Sequence, residues 1–521
     1  MRKNHVNETL PMTRKQLYII IAFVLIPLLP IFLFNPATAY ISDGWWHFSV
    51  FNSVNQNTLP PPNPWLNGAT VAYPYVHHVL TSAVFGQTNL QPQYVFIFMI
   101  SMVSIVFSCG MYAIARLFYT PVQSLWASFT FYLVSSIGSL LFVWDFMHYA
   151  IQSNLIPGFT EFLFARSGPH MWHAGMKFIN PAGIGVIFNG SAMVGTSQFL
   201  LMIICAYFFL KEEYVPCFMA YAGIITSNPI MGIIYAISLG LYGFWRGWKT
   251  TIIIAVGGIA AALVSGSYLI SLISKLGNIS SSALDIFSPA AGWGFVLFVV
   301  GYAPLIVLAG LQIQEKKYPK PAVMFFATYI VANLAIALAL KLGYLYVSMS
   351  LFLPLALLAG PQFAKITSAK WSIRIVLAAI LVVGVSSSLL NTATYSYYKY
   401  NLNQDEIAAS KFLKENSLPS DVVLINLGDL GVRNIFVYPS VFAARQVYVA
   451  DAFTIEVYGE EFSAQKAAYD TFWATPSCAN IPSPVNYIYE RPNGPELSSL
   501  NCLKLLYNEN NIRIYRVETA E

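Results

Sequence analysis

Asp43 stands in Ile41-Ser42-Asp43-Gly44-Trp45-Trp46-His47, and Tyr73-Pro74-Tyr75-Val76-His77-His78 follows it across a proline-rich crossing. A carboxylate can take a proton from a hydroxyl, and an imidazole can donate, accept or ligate, so these residue types are the ones able to do acid/base or metal chemistry. Six of the seven histidines, His47, His77, His78, His148, His170 and His173, fall within residues 35–90 and 144–191. Asp43 and His47 are spaced i,i+4 and Asp145 and His148 i,i+3, so on a helix each pair would share a face. With His170 and His173 this spacing suits a divalent cation such as Mg or Mn, with Asp43, His47, Asp145 and His148 as candidate ligands. The same residues also suit hydrogen bonding to substrate beside Trp45, Trp46, Trp144 and Trp172, because interfaces rich in aromatics collect amphipathic histidines. Asp43 also suits the N-cap of a helix over 43 to 54.

The elements that must position these residues lie in a membrane. The chain has 521 residues, 57% hydrophobic and 10% charged, with a mean hydropathy of +0.59. Apolar runs continue to about residue 393 and a polar tail follows, the pattern of a polytopic α-helical membrane protein with one soluble domain. About eleven spans are expected, near 17–34, 92–115, 121–143, 192–210, 214–227, 230–245, 250–273, 292–313, 322–340, 343–360 and 374–392. The first run lacks a small-residue cleavage site and is expected to remain a span.

Charge orients the spans. With the N-terminus inside, the inner segments hold fourteen Lys and Arg residues and the outer segments before residue 401 hold five, Arg166, Lys177, Lys275, Lys341 and Lys399. Cytoplasmic loops carry that excess, so an odd number of spans places the C-terminus outside. Residues 1–400 carry net +11 and residues 401–521 net −6. The basic balance is therefore a topology signal, and no nucleic-acid partner is expected. Of the eight acidic residues before 401, only Asp43, Asp145, Glu161 and Asp285 face outward on this reading.

Two domains are expected: a membrane module over 1–400 with outer loops 35–90 and 144–191, and an extracytoplasmic α/β domain over 401–521. In the tail, helical periodicity covers 405–413 and about 460–473. Short apolar runs at 422–425, 435–437, 447–449, 485–488, 503–506 and 512–515 read as strands of a parallel or mixed sheet. Cys478 and Cys502 are the two cysteines of this domain. Paired, they staple it in an oxidising exterior; the other reading is two free thiols. In the first outer loop the pattern predicts an amphipathic helix on the membrane surface from about 43 to 55, the extended Leu59-Pro60-Pro61-Pro62-Asn63-Pro64, and a second helix from His77 to Phe85.

These features resemble the membrane glycosyltransferases of the GT-C superfamily, in particular prokaryotic relatives of the dolichyl-phosphate-mannose and aminoarabinose transferase group. Asp43-Gly44-Trp45-Trp46-His47, Leu59-Pro60, Tyr73-Pro74-Tyr75 and Val76-His77-His78 resemble their first outer loop. A second acid adjacent to Asp43, present in some members, is missing here. The resemblance implies inverting transfer from a polyprenyl-phosphate sugar to a glycan, lipid or protein acceptor outside the cell membrane. Asp43 would then be the base and Asp145 a second catalytic acid. Arg166 and Lys341 would approach the leaving phosphate, and His47, His77, His78, His170 and His173 would contact substrate. A polysaccharide polymerase or ligase, a transporter and a non-catalytic membrane subunit are the rival classes. Few ionisable groups lie inside the spans, which disfavours a transporter, and only Ser227-Asn228-Pro229 resembles a broken helix.

Overall fold

The structure, a computed structural model, describes residues 12–34, 44–56, 60–71, 76–86, 88, 90–134, 192–266, 291–315, 318, 320–339, 344–397, 402–430, 436–451, 455, 462–492 and 494–518. The first helices are α1 (Arg14–Phe34), α2 (Gly44–Val54), α3 (Val76–Phe85), α4 (Pro92–Arg116), α5 (Pro121–Leu133) and α6 (Ala192–Leu210). There follow α7 (Tyr214–Ser227), α8 (Pro229–Arg246), α9 (Trp248–Val264), α10 (Ala291–Glu315), α11 (Lys320–Ala339), α12 (Tyr344–Phe363) and α13 (Trp371–Tyr397). The tail adds α14 (Gln404–Glu415), β1 (Val422–Ile425), α15 (Tyr438–Phe442), β2 (Gln446–Val447), α16 (Ser463–Ala474), β3 (Val485–Glu490), β4 (Leu503–Glu509) and β5 (Ile512–Val517).

Contacts divide the chain into two units. One comprises Met1–Thr38, Phe96–Ser267 and Leu284–Lys399, the other Ala39–Val95, Tyr268–Ala283 and Tyr400–Glu521. By contacts, then, residues 39–95 group with the tail, although in sequence they interrupt the apolar runs.

The first unit is helical, and its helices lie where the apolar runs fall. Among the described residues, Arg14–Phe34 and Pro92–Arg116 are long and apolar enough to cross a membrane by length and composition. α12 packs between α5 and α10, α8 against α9 and α11, α6 against α7, and α1 against α13. Many large apolar side chains remain on the outside of this unit, for example Ile252, Ile253, Val256, Ile259 and Leu263 along α9. Helices apolar on every side suit a lipid surround, where such a face has no water to avoid. Where α12 meets α5, a Cβ on Gly360 would come within 2.6 Å of the Ala127 Cα. Only hydrogen fits there, as in close-packed membrane helix pairs.

Ser227-Asn228-Pro229 does break a helix. Asn228 sits extended between α7 and α8, and its side chain accepts from the Met231 amide, while Pro229 occupies the first turn of α8. Asn228 Nδ2 also donates to Gln198 Oε1 at 3.0 Å. A cap residue followed by proline ends one helix and starts the next, which accounts for the break locally.

The tail sheet has the order β2-β1-β3-β5-β4. β1 pairs in parallel with β2 and β3, and β5 pairs antiparallel with β3 and β4. All four residues of β1 are buried, as befits a parallel strand covered on both faces. α14 follows the expected periodicity and buries Ala409 and Leu413. Cys478 and Cys502 form a disulfide. The strand expected over 435–437 is not one among the described residues: Phe436 and Val437 lead into α15, where Pro439 pre-sets the first turn of a helix. Val449, expected in a strand with 447, extends the edge through a bridge to Leu66.

Candidate functional site

The site is built on α2, the helix that follows Asp43. Its sequence, Gly44 to Val54, is aromatic and apolar with Ser49, Asn52 and Ser53 interspersed, and ten of its eleven residues are buried. A helix lying on a membrane surface would leave its polar stripe to water, so the expectation of an amphipathic surface helix is corrected. Three neighbours wrap α2 instead.

Trp45, Ser49, Asn52 and Gln56 form one stripe, and it faces the tail. The Trp45 ring lies 4.8 Å from that of Tyr438 and 5.7 Å from that of Phe436. Ser49 Oγ shares a 2.7 Å hydrogen bond with Ser440 Oγ. Asn52 Nδ2 donates to the carbonyls of Ser440 at 2.9 Å and Val441 at 2.7 Å. The end of a short helix leaves such carbonyls without intrahelical donors, so Asn52 caps α15 from another element.

The second neighbour is the crossing, residues 60–71. It folds back on itself through a bridge between Pro62 and Thr70, with Gly68 at φ +83 in the turn, a conformation costly for residues with a Cβ. Trp65 packs edge-on to Trp46 at 5.1 Å. Its Nε1 donates to both Ser49 Oγ and Ser440 Oγ at 3.1 Å. The crossing is also stitched to the sheet edge: the Val447 amide donates to the Pro64 carbonyl, the Ala450 amide to that of Trp65 and the Asn67 amide to that of Tyr448.

The third neighbour, α3, carries the histidine pair. His47 Nδ1 and His78 Nε2 share a 3.1 Å hydrogen bond, and their rings stack at 5.3 Å. His77 lies edge-on to His78, with Thr81 Oγ1 3.4 Å from its Nε2. All three imidazoles are buried. Burial, with the neighbouring His47 adding to it, pushes the His77 pKa down to about 3. A neutral imidazole donates and accepts one hydrogen bond and carries no charge to an anion.

The structure thus brings His47, His77 and His78 together. Asp43, Asp145, His148, Arg166, His170, His173 and Lys341 lie outside the described residues. Among the described residues no group of three or more His, Cys, Asp or Glu side chains gathers to hold a metal ion. His47, the one described member of the set Asp43, His47, Asp145 and His148, directs Nδ1 at His78. The sequence reading passed over Ser49, Asn52, Trp65 and Ser440. The one signal it offered was a stripe of Trp45, Ser49, Asn52 and Gln56, which is equally the pattern of a face turned to water.

No family model matches the sequence, and no curated protein matches it. Solved structures do. ArnT from Cupriavidus metallidurans aligns over 96% of this chain and 97% of its own, at 10% identity and a TM-score of 0.50. The arabinofuranosyltransferase AftD from Mycobacteria aligns over 99% of this chain, which spans 42% of AftD, at 12% identity and a TM-score of 0.52. The oligosaccharyltransferase AglB from Archaeoglobus fulgidus, solved with an inhibitory peptide and a dolichol-phosphate, aligns over 92% of this chain and 70% of its own, at 11% identity and a TM-score of 0.40. These matches are GT-C glycosyltransferases. The chain has the fold of polytopic membrane GT-C enzymes, mostly helical with a small C-terminal sheet.

Proposed function

We propose that this protein transfers a sugar from a polyprenyl-phosphate-linked donor to an acceptor on the outer face of the cell membrane, with inversion at the anomeric carbon. The observation that carries the reading is the likeness of fold to ArnT over 96% of the chain. Fold alone does not assign chemistry, so the residues must supply it. The membrane unit runs through eleven spans with the N-terminus inside and the tail outside, which brings the first outer loop and the tail to one side.

Asp43, in the residue before α2, is the base. The acceptor hydroxyl oxygen attacks the anomeric carbon, its proton passes to the Asp43 carboxylate, and the carbon–oxygen bond to phosphate breaks. Polyprenyl phosphate leaves with the electron pair. Asp145 aligns the acceptor, and Arg166 and Lys341 meet the charge that develops on the leaving phosphate. His170 and His173 contact substrate; His47, His77 and His78 are buried and bonded within the protein, and they support α2 instead. The transfer as written draws only on the chain's own carboxylates, cations and imidazoles. The acceptor is a glycan, lipid or protein.

Turnover of a panel of polyprenyl-phosphate-linked hexoses and pentoses by the full-length protein in proteoliposomes tests this, read as released polyprenyl phosphate and glycosylated acceptor. Asp43→Asn is expected to lower turnover by about 10²–10⁴-fold. Wild-type turnover by that variant removes Asp43 as the base, and lipid uptake without transfer by the wild-type protein overturns the reading.

A further inference from the structure

We propose that the C-terminal domain is a working part of the transfer site, and that Ser440, with Ser49, Asn52 and Trp65, forms a set of positioning residues that hold α2 for the reaction; this rests on Asp43 being the base.

The argument begins with protons. Ser49 and Ser440 have one hydroxyl hydrogen each. Three acceptors compete for them, since Ser49 Oγ lies 2.8 Å from the Trp45 carbonyl, Ser440 Oγ lies 2.9 Å from the Val437 carbonyl, and the two hydroxyls lie 2.7 Å from each other. The direct hydrogen bond between the serines is made at the expense of one bond to a backbone carbonyl. Trp65 Nε1 supplies a third hydrogen, shared between both oxygens at 3.1 Å. Two neighbouring elements and one 391 residues further along the chain from Ser49 thus close on one buried polar point. The network is a poor choice for stability alone, because an apolar contact would fill the same space without a hydrogen-bonding requirement. Such networks specify one arrangement over others.

That arrangement bears on the base. Ser49 bonds the carbonyl of Trp45, two residues beyond Asp43, and Asn52 anchors the same stripe one turn further on. On its opposite side α2 bonds α3 through His47 and His78. A helix gripped on two sides cannot rotate, and rotation of its first turn is the motion that would misaim Asp43. Displacement by about 1 Å can lower a reaction rate by about 10²-fold.

The test compares Ser440→Ala, Asn52→Ala and Asn52→Asp with wild type in the full-length protein, using the same polyprenyl-phosphate-linked sugars. The expected result is a fall in kcat of about 10-fold or more, with the donor KM within about twofold, because α2 is misaimed while the donor still binds. Ser440→Thr, which keeps the hydroxyl, restores kcat, and Asn52→Asp, which keeps size but loses the donor, behaves as Asn52→Ala. Amide exchange in residues 44–54 rises in the Ala variants at unchanged melting temperature. Where one variant fails to fold, the Trp65→Phe variant, which removes only the shared donor, provides the same reading. Folded variants with wild-type kcat overturn the inference. Asp43→Asn run in parallel separates the two failures: an active Asp43→Asn removes Asp43 as the base on which this inference rests, whereas an inactive Asp43→Asn beside fully active Ser440 and Asn52 variants removes the positioning role alone.

Discussion

His77 shows how far a residue's type can mislead about its charge. In sequence the run Val76-His77-His78 offers two groups that titrate near neutrality. In the fold, burial withholds water from the charged form and holds the His77 pKa at about 3. The consequence for stability has a definite sign. Above about pH 6.5 His77 is neutral both folded and unfolded and stability does not depend on it. Between about 6.5 and 3 only the unfolded chain takes the proton, so stability falls with falling pH, by about 1.4 kcal/mol per unit from this group. Thermal melting of the purified protein in detergent is expected to follow that slope, and His77→Asn to flatten it between pH 6 and 4. An unchanged slope would mean that another group carries the proton. The candidate histidines were legible in the sequence from their clustering; the neutrality of His77 was not, since desolvation depends on what α2 and α3 bury between them.

At the scale of elements, most helices were legible because their apolar runs are long and end in recognisable signals. Thr120 with Gln123 forms a capping box at the start of α5, and Asn403 caps α14. Contacts between helices were not legible, and Gly360 is the clearest case. Among many glycines in apolar runs, it is set against the backbone of Ala127 and Trp126 in α5. Gly360→Ala is expected to force α12 and α5 apart, at about 1–3 kcal/mol, and to lower the yield of folded protein on size exclusion and its melting temperature. Gly310→Ala, where a Cβ would meet nothing within 4 Å, serves as the control. The strand expected at 435–437 failed for a related reason. A three-residue apolar run fits a strand or the lead-in to a helix equally, and Pro439 decides for the helix.

For the molecule as a whole, the pairing of residues 39–95 with the tail depends on an intact tail. The disulfide joins Cys478 and Cys502, 24 positions apart in the chain, and removing it as Cys478→Ser/Cys502→Ser is expected to cost roughly 3 kcal/mol. The readout is earlier cleavage of the tail by a protease at moderate temperature. The same pair reports orientation. In right-side-out vesicles treated with mild reductant, a membrane-impermeant maleimide is expected to label Cys478 and Cys502. Labelling only after the membrane is opened would place the tail inside and reverse the orientation argued from Lys and Arg.

The sequence by itself determined the class: apolar runs set where helices form, the charge contrast at residue 400 set the polar tail apart, and the rarity of acids and histidines marked Asp43 and its neighbours. Those properties are local, so composition and spacing carry them. Only the tertiary structure decided that α2 is enclosed rather than laid on a surface. Ser49 and Asn52 meet Ser440 across 391 and 388 residues of chain. A polar stripe satisfied by another domain has the same spacing as one satisfied by water.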